Sequence, residues 1–231
     1  MIRCDDLQNG YKIMQNTDHF CFGTDAVLLA DFCKIRPGEK VVEFCTGNGI
    51  ISILMAAKYK PNHITAFEIQ KDCADLAKEN MQLNTLDGLV DVICDDIKNI
   101  ASYKDIRYVD AVVCNPPYMK KDGAIKNETE AKLIARHEIC CDIPLVFECA
   151  AKILRFGGRL CMVHKADRFA ELILEGKKFG FEAKFAQFVH MNIEKEAKLV
   201  LCEFALGGKS QIKILPPVTK AATTRERTEN Q

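Results

Sequence analysis

Residues 40 to 57, Lys40-Val41-Val42-Glu43-Phe44-Cys45-Thr46-Gly47-Asn48-Gly49-Ile50-Ile51-Ser52-Ile53-Leu54-Met55-Ala56-Ala57, read as a short strand, a tight glycine turn and an apolar helix. That order is the first half of a βαβ unit, which cups a ligand against the free amides of the helix N-terminus. Gly47 and Gly49 allow backbone angles and close main-chain approaches that a side chain forbids. The spacing is not the dinucleotide pattern G-x-G-x-x-G, because Cys45 takes the first glycine's place. Glu43, just before the turn, repels a pyrophosphate and attracts a cation. A ligand with a sulfonium and an amino group, such as S-adenosylmethionine, suits that pairing better than a nicotinamide dinucleotide does.

Downstream the βα alternation continues. Ile64 to Ile69 is a second strand, and Glu68 falls about twenty residues after the turn, where a strand-end carboxylate can bind both hydroxyls of a ribose. The other role open to Glu68 is that of a solvated strand-end carboxylate. Residues 71 to 84 have helical periodicity, and Leu89 to Cys94 is a third strand that ends in Asp95-Asp96. Either carboxylate can accept from an adenine amine or cap the next turn; for the amine, Asp96 is chosen because an apolar residue follows it. Val109 to Cys114 is a fourth strand, stopped by Asn115-Pro116-Pro117-Tyr118. Each proline keeps the residue before it out of the α region, so the chain leaves the strand stiff and extended. The result is a ledge with one amide, exposed carbonyls and an aromatic face, suited to a planar amine.

Before the first strand, residues 5 to 23 are polar with scattered apolar positions, and Thr24 or Asp25 can cap a helix running through Phe32. Asp25 has two open roles, helix cap and ligand contact. After the ledge, Met119 to Glu138 has no firm period and carries Lys120, Lys121 and Arg136, as a solvated loop or as a lid that touches RNA phosphates. A helix over Ile143 to Phe156, ended by Gly157-Gly158, leads to a fifth strand at Arg159 to His164 and a helix near 168 to 178. Two strands with a short loop between them follow, Phe185 to Met191 and Leu199 to Leu206, hence an antiparallel pair. The expected organisation is a single domain over 1–208, with segment 1–39 packing on it and a partly disordered tail over 209–231.

A chain of 231 residues, 48% hydrophobic and 28% charged, is in the globular range. With 32 basic and 32 acidic residues it has no global attraction to nucleic acid, so RNA contact must come from a local patch. Its apolar runs are too short to span a membrane, and its start lacks a signal-peptide core, which points to the cytoplasm. Twelve cysteines without Cys-x-x-Cys spacing, and five scattered histidines, read as reduced structural thiols and no metal site. Cys114 beside the ledge invites a nucleophilic role, but it belongs to an apolar strand, no base adjoins it in sequence, and an amine target needs no covalent adduct.

Val41 to Gly49, Glu68, Asp96 and Asn115-Pro116-Pro117-Tyr118 together resemble the class I S-adenosylmethionine-dependent methyltransferases. Within that superfamily the chain is most similar to the tRNA adenine-N6 methyltransferases. The narrower likeness rests on Phe20 to Leu29, Ala135-Arg136-His137-Glu138, Gly157-Gly158-Arg159 and Leu215-Pro216-Pro217, and covers about residues 5 to 217. The resemblance implies a Rossmann-like, seven-stranded, mostly parallel sheet with an antiparallel C-terminal strand pair and helices on both faces. It implies S-adenosylmethionine as cofactor, with Asp25, Glu43, Cys45, Gly47, Gly49, Glu68, Asp96 and Asn115 around it. It makes tRNA the partner, and Asn115, Pro116 and Tyr118 the catalytic group, with Tyr118, Lys120, Lys121 and Arg136 touching RNA. The competing expectations are a protein glutamine-N5 methyltransferase, disfavoured by the mere 40 or so residues before the glycine turn, and an RNA- or nucleotide-binding module without catalysis.

Overall fold

In the computed structural model, which describes residues 1–7, 10–17, 21–117 and 141–219, the sheet grows outward from β3 (Lys40–Phe44). β3 pairs in parallel with β4 (His63–Glu68) on one side and β6 (Val109–Cys114) on the other. β5 (Val90–Cys94) extends the first side. β7 (Leu154–Lys165) extends the second in parallel, and β9 (Ala197–Leu206) and β8 (Phe181–His190) continue it as an antiparallel pair. Those seven strands carry the expected arrangement. Two short additions, β10 (Lys213–Ile214) and β11 (Val218–Thr219), pair with the outer edge of β8, so sheet pairing continues into the segment read as tail.

The period-2 alternation of β3 sorts its side chains between two cores. Val41 packs with α1 (Thr24–Phe32), α2 (Ile50–Tyr59) and Met81 of α3 (Lys71–Leu83). Val42 and Phe44 pack on the other face with α4 (Ile143–Ile153) and Leu172 of α5 (Phe169–Lys178). Both faces of the sheet are therefore covered, as parallel strands require.

Two local expectations are corrected. No side chain caps α1: its N-cap is Gly23, and Thr24 and Asp25 already lie in the first turn. α4 stops at Ile153 and not at Phe156, because Leu154 turns extended and pairs with Val109. The two glycines then form an irregularity inside β7, with Gly157 at φ +75°, before pairing resumes at Arg159.

The N-terminal segment forms a hairpin that sequence periodicity did not reveal, β1 (Ile2–Asp6) against β2 (Lys12–Asn16). A lone two-stranded ribbon is marginal in water, and this one is held by α3. Asn84 accepts from the Lys12 amide at 2.8 Å and donates to its carbonyl at 2.7 Å. One helical turn earlier, Asn80 does the same for Met14, at 2.7 and 2.9 Å. The i, i+4 spacing of the helix matches the i, i+2 spacing of the strand edge, so the two amides act as a surrogate strand. The Asn80 amide also donates to the Asn48 carbonyl at 2.9 Å, which ties the hairpin to the glycine turn.

Candidate active site

The carboxyl ends of β3, β4, β5 and β6 open on one cleft of about 370 Å³. It lies where the chain order reverses across β3, the position at which open parallel sheets bind ligands. Gly47 sits at φ +58° with open space where a Cβ would stand, so its main chain is bare to the cleft. Its amide donates to Glu68 Oε2 at 2.9 Å, and the Gln70 amide donates to Glu68 Oε1 at 3.0 Å. Two main-chain donors thus fix a nearly buried carboxylate in the cleft wall. Gly49, at φ +87°, does not line the cleft. A Cβ there would run into Met81, so this glycine lets α2 approach α3.

Glu43 is also absent from the cleft wall. It follows Val41 in the alternation and points to the same face, where the Ser52 hydroxyl of α2 donates to its Oε2. It is fully buried, and burial pushes its carboxyl up to about 7. Its other oxygen, Oε1, is buried without a hydrogen-bond partner among the described residues.

Asp95 and Asp96 both line the cleft. Asp95 accepts from the Tyr103 hydroxyl at 2.7 Å, the Asn99 amide at 2.8 Å and the Asp96 main chain at 2.7 Å; the Tyr103 bond above all holds its carboxyl below the usual range. Asp96 caps the 3-10 turn Ile97–Ser102, accepting from the Lys98 amide at 2.9 Å. On the opposite wall, Asn115 donates its side-chain amide to Asp25 at 3.5 Å. Pro116 is buried behind Asn115, and both line the cleft. Tyr118, Lys120, Lys121 and Arg136 lie outside the described residues.

The cleft suits a ligand with a ribose and an amino-acid end. Among the described residues, Glu43 Oε1, Thr46 Oγ1 and Asn48 Nδ2 are buried without a protein partner, and Thr46 and Asn48 line the cleft. Together with the bare Gly47 main chain and the Glu68 carboxylate, they supply donors and acceptors to hydroxyls and to an ammonium. The cleft also has apolar walls from Phe22, Phe67 and Ile97, suited to a planar base.

Sequence reasoning missed Cys141. Its sulfur accepts from the Cys45 thiol at 3.3 Å, although 96 residues separate the two, and Cys114 completes a group of three sulfurs within 4.8 Å of one another. Hydrogen bonds from the Cys114 and Cys45 thiols push the Cys141 thiol down. Scattered positions in the sequence gave no sign of this cluster.

The chain's fold is that of Rossmann-like methyltransferases. Solved structures that share it include a predicted O-methyltransferase from Agrobacterium tumefaciens (TM-score 0.67, 18% identity, 84% of this chain and 86% of that one). Another is TrmK from M. capricolum in complex with S-adenosyl-homocysteine (TM-score 0.55, 14% identity, 83% and 72%). The model of the methyltransferase small domain family matches residues 16–192, and the chain belongs to that family. Relatives include the tRNA1(Val) (adenine(37)-N6)-methyltransferase of Phocaeicola vulgatus, 26% identical over 79% of this chain and 75% of its own length. The protein of the same name from a Flavobacteriaceae bacterium is 24% identical over 84% and 81%.

Proposed function

We propose that this protein transfers a methyl group from S-adenosylmethionine to the exocyclic N6 amine of an adenosine in tRNA, in the cytoplasm. The observation that carries the reading is the position of Asn115 and Pro116 at the strand-end cleft, across from Glu68 and the glycine turn. Similarity to the tRNA adenine-N6 enzymes supports the choice of substrate.

The cofactor supplies an electrophilic sulfonium methyl. Glu68 binds the ribose hydroxyls, and the Gly47 main chain with Asn48 receives the amino-acid end. The amine of adenine is a poor nucleophile, because its lone pair is delocalised into the ring. Asn115, with its amide directed to Asp25, keeps its side-chain oxygen for one amine proton, and the Pro116 carbonyl takes the other. Accepting both draws the nitrogen toward tetrahedral geometry and localises the lone pair; positioning and fixed dipoles carry the catalysis. Tyr118, two residues further along the sequence, supplies the aromatic face for the base. Stacking of that kind is worth roughly 1–3 kcal/mol, against a few kcal/mol to take a base out of its stack.

Nucleoside mass spectrometry of tRNA from cells with and without the gene tests the substrate. Loss of N6-methyladenosine from one tRNA is expected, and an unchanged tRNA pool overturns the assignment. For the site, Asn115→Ala is expected to lose methyl transfer while it still binds S-adenosylmethionine; a variant as fast as the wild type removes the ledge from the mechanism.

A further inference from the structure

Three elements bring one cysteine each to the same corner of the cleft. Cys45 follows the last residue of β3. Cys114 is the last residue of β6 and pairs in register with Phe44. Cys141 stands just before Asp142, the N-cap of α4. Their sulfurs lie within 4.8 Å of one another, Cys114 and Cys141 are buried, and Cys45 and Cys141 line the cleft.

Thiols serve well as small apolar fillers, but Cys45 makes an expensive filler. Its backbone is left-handed, at φ +59°, a conformation unfavourable for a residue with a side chain and nearly free for glycine. A bare glycine would relieve that strain. What the side chain adds at this point is a sulfur aimed at two others.

We propose that Cys45, Cys114 and Cys141 form a three-thiolate site for a soft, thiophilic d10 metal ion of the zinc(II) type, with the fourth coordination position open to the cleft. The inference stands apart from the methyl-transfer reading, since it concerns binding of an ion and not the reaction. Thiolate sulfur selects such ions over magnesium or calcium, which take oxygen. Zinc–sulfur bonds of about 2.3 Å in a tetrahedron set the sulfurs about 3.8 Å apart. The Cys45–Cys141 pair, at 3.3 Å, has to open by only a fraction of an ångström. Each thiol releases its proton to solvent as its bond to the ion forms, so binding strengthens as pH rises.

Cobalt(II), the spectroscopic stand-in for zinc, is the probe, added to the whole reduced chain under anaerobic conditions. One equivalent is expected to raise a sulfur-to-cobalt charge-transfer band in the near ultraviolet and the visible bands of a tetrahedral centre, and one equivalent of zinc to remove them. Zinc-loaded protein is also expected to shield Cys45, the half-buried thiol of the three, from iodoacetamide in a peptide map. Cys45→Gly is the decisive variant, because glycine fits the left-handed position and the fold is kept; it and Cys141→Ser are expected to lose the band, while Cys4→Ser, on the hairpin, keeps it. Absence of the band in the reduced wild type, a band unchanged in Cys45→Gly, or alkylation of Cys45 that zinc does not alter overturns the site.

Discussion

Asn115, one residue past the end of β6, donates its side-chain amide to the carboxylate of Asp25 in the first turn of α1, across 3.5 Å and 90 residues of sequence. The contact fixes which end of the Asn115 amide faces the cleft. With the nitrogen engaged, the oxygen is left to accept from a substrate amine. Asp25→Ala removes the anchor, and the methyl-transfer rate is expected to fall by roughly tenfold or more, since small misplacements of an acceptor cost that much. Asp25→Asn, which keeps an acceptor oxygen, is expected to recover part of the loss. Equal rates in the wild type and Asp25→Ala, with saturating cofactor, would show that Asn115 orients itself.

Glu68 holds two main-chain amides with its two oxygens. A glutamine in its place can satisfy only one of them and turns an N–H toward the other. Glu68→Gln is expected to weaken S-adenosylmethionine binding by about ten- to a hundredfold, because bonds to a charged acceptor are worth about 1.5–3 kcal/mol. Calorimetric titration reads this directly, and unchanged affinity would remove Glu68 from the ribose site.

Glu43 makes a pH prediction. Burial raises its folded-state value to about 7 from the ordinary 4.5. Between those values the folded chain binds the proton and the unfolded chain does not. The favourable contribution is therefore complete below about pH 4.5 and is lost as pH climbs through 7. Glu43→Gln has no such proton, so its stability curve is expected to be flatter over that window. Its advantage at pH 8 has an upper bound of roughly 3 kcal/mol. Urea unfolding at pH 5 and pH 8 measures it, and parallel pH slopes for the two proteins would rule out a buried acid.

Arg159 makes a prediction about stability alone. It is largely buried near the start of β7's main run, 2.6 Å from Glu39, 3.4 Å from Glu203 and 3.0 Å from the Cys33 carbonyl. Glu39 precedes β3, so this network closes the end of the sheet away from the cleft. Arg159→Met leaves two shielded carboxylates without their cation and is expected to cost about 3–5 kcal/mol. Cofactor affinity of the protein that remains folded is expected to stay near wild type; a large change in affinity would place the network in the site.

Local signals made much of this molecule legible. The β3–glycine turn–α2 unit, Glu68 and the Asn115-Pro116-Pro117 ledge are each written in contiguous residues, and seven strands follow from short apolar runs between turn signals. What stayed hidden depends on pairings distant in sequence. The hairpin over residues 2–16 stayed hidden because only Ile13 and Gln15 of β2 are buried, and its outer edge pairs with the side-chain amides of Asn80 and Asn84, not with another strand. The burial of Glu43 against Ser52 of α2 follows from one step of strand alternation but depends on a helix nine residues further on. The end of α4 was read from its glycines, whereas pairing of Leu154 with Val109 sets it earlier. The cysteine cluster joins three strand or helix ends and has no sequence spacing to betray it.

Asn80 of α3 and Asn84, its C-cap, tie together parts of the chain that would otherwise open separately. Asn80 holds Met14 and the Asn48 carbonyl with the same amide group, so release of the hairpin loosens the side chain that also holds the glycine turn. The two therefore belong to one cooperative unit of native-state opening. In hydrogen exchange, the Met14 amide is expected to share the opening free energy of the amides around Asn48. A ligand that seats on the glycine turn would then slow exchange in a ribbon it never touches.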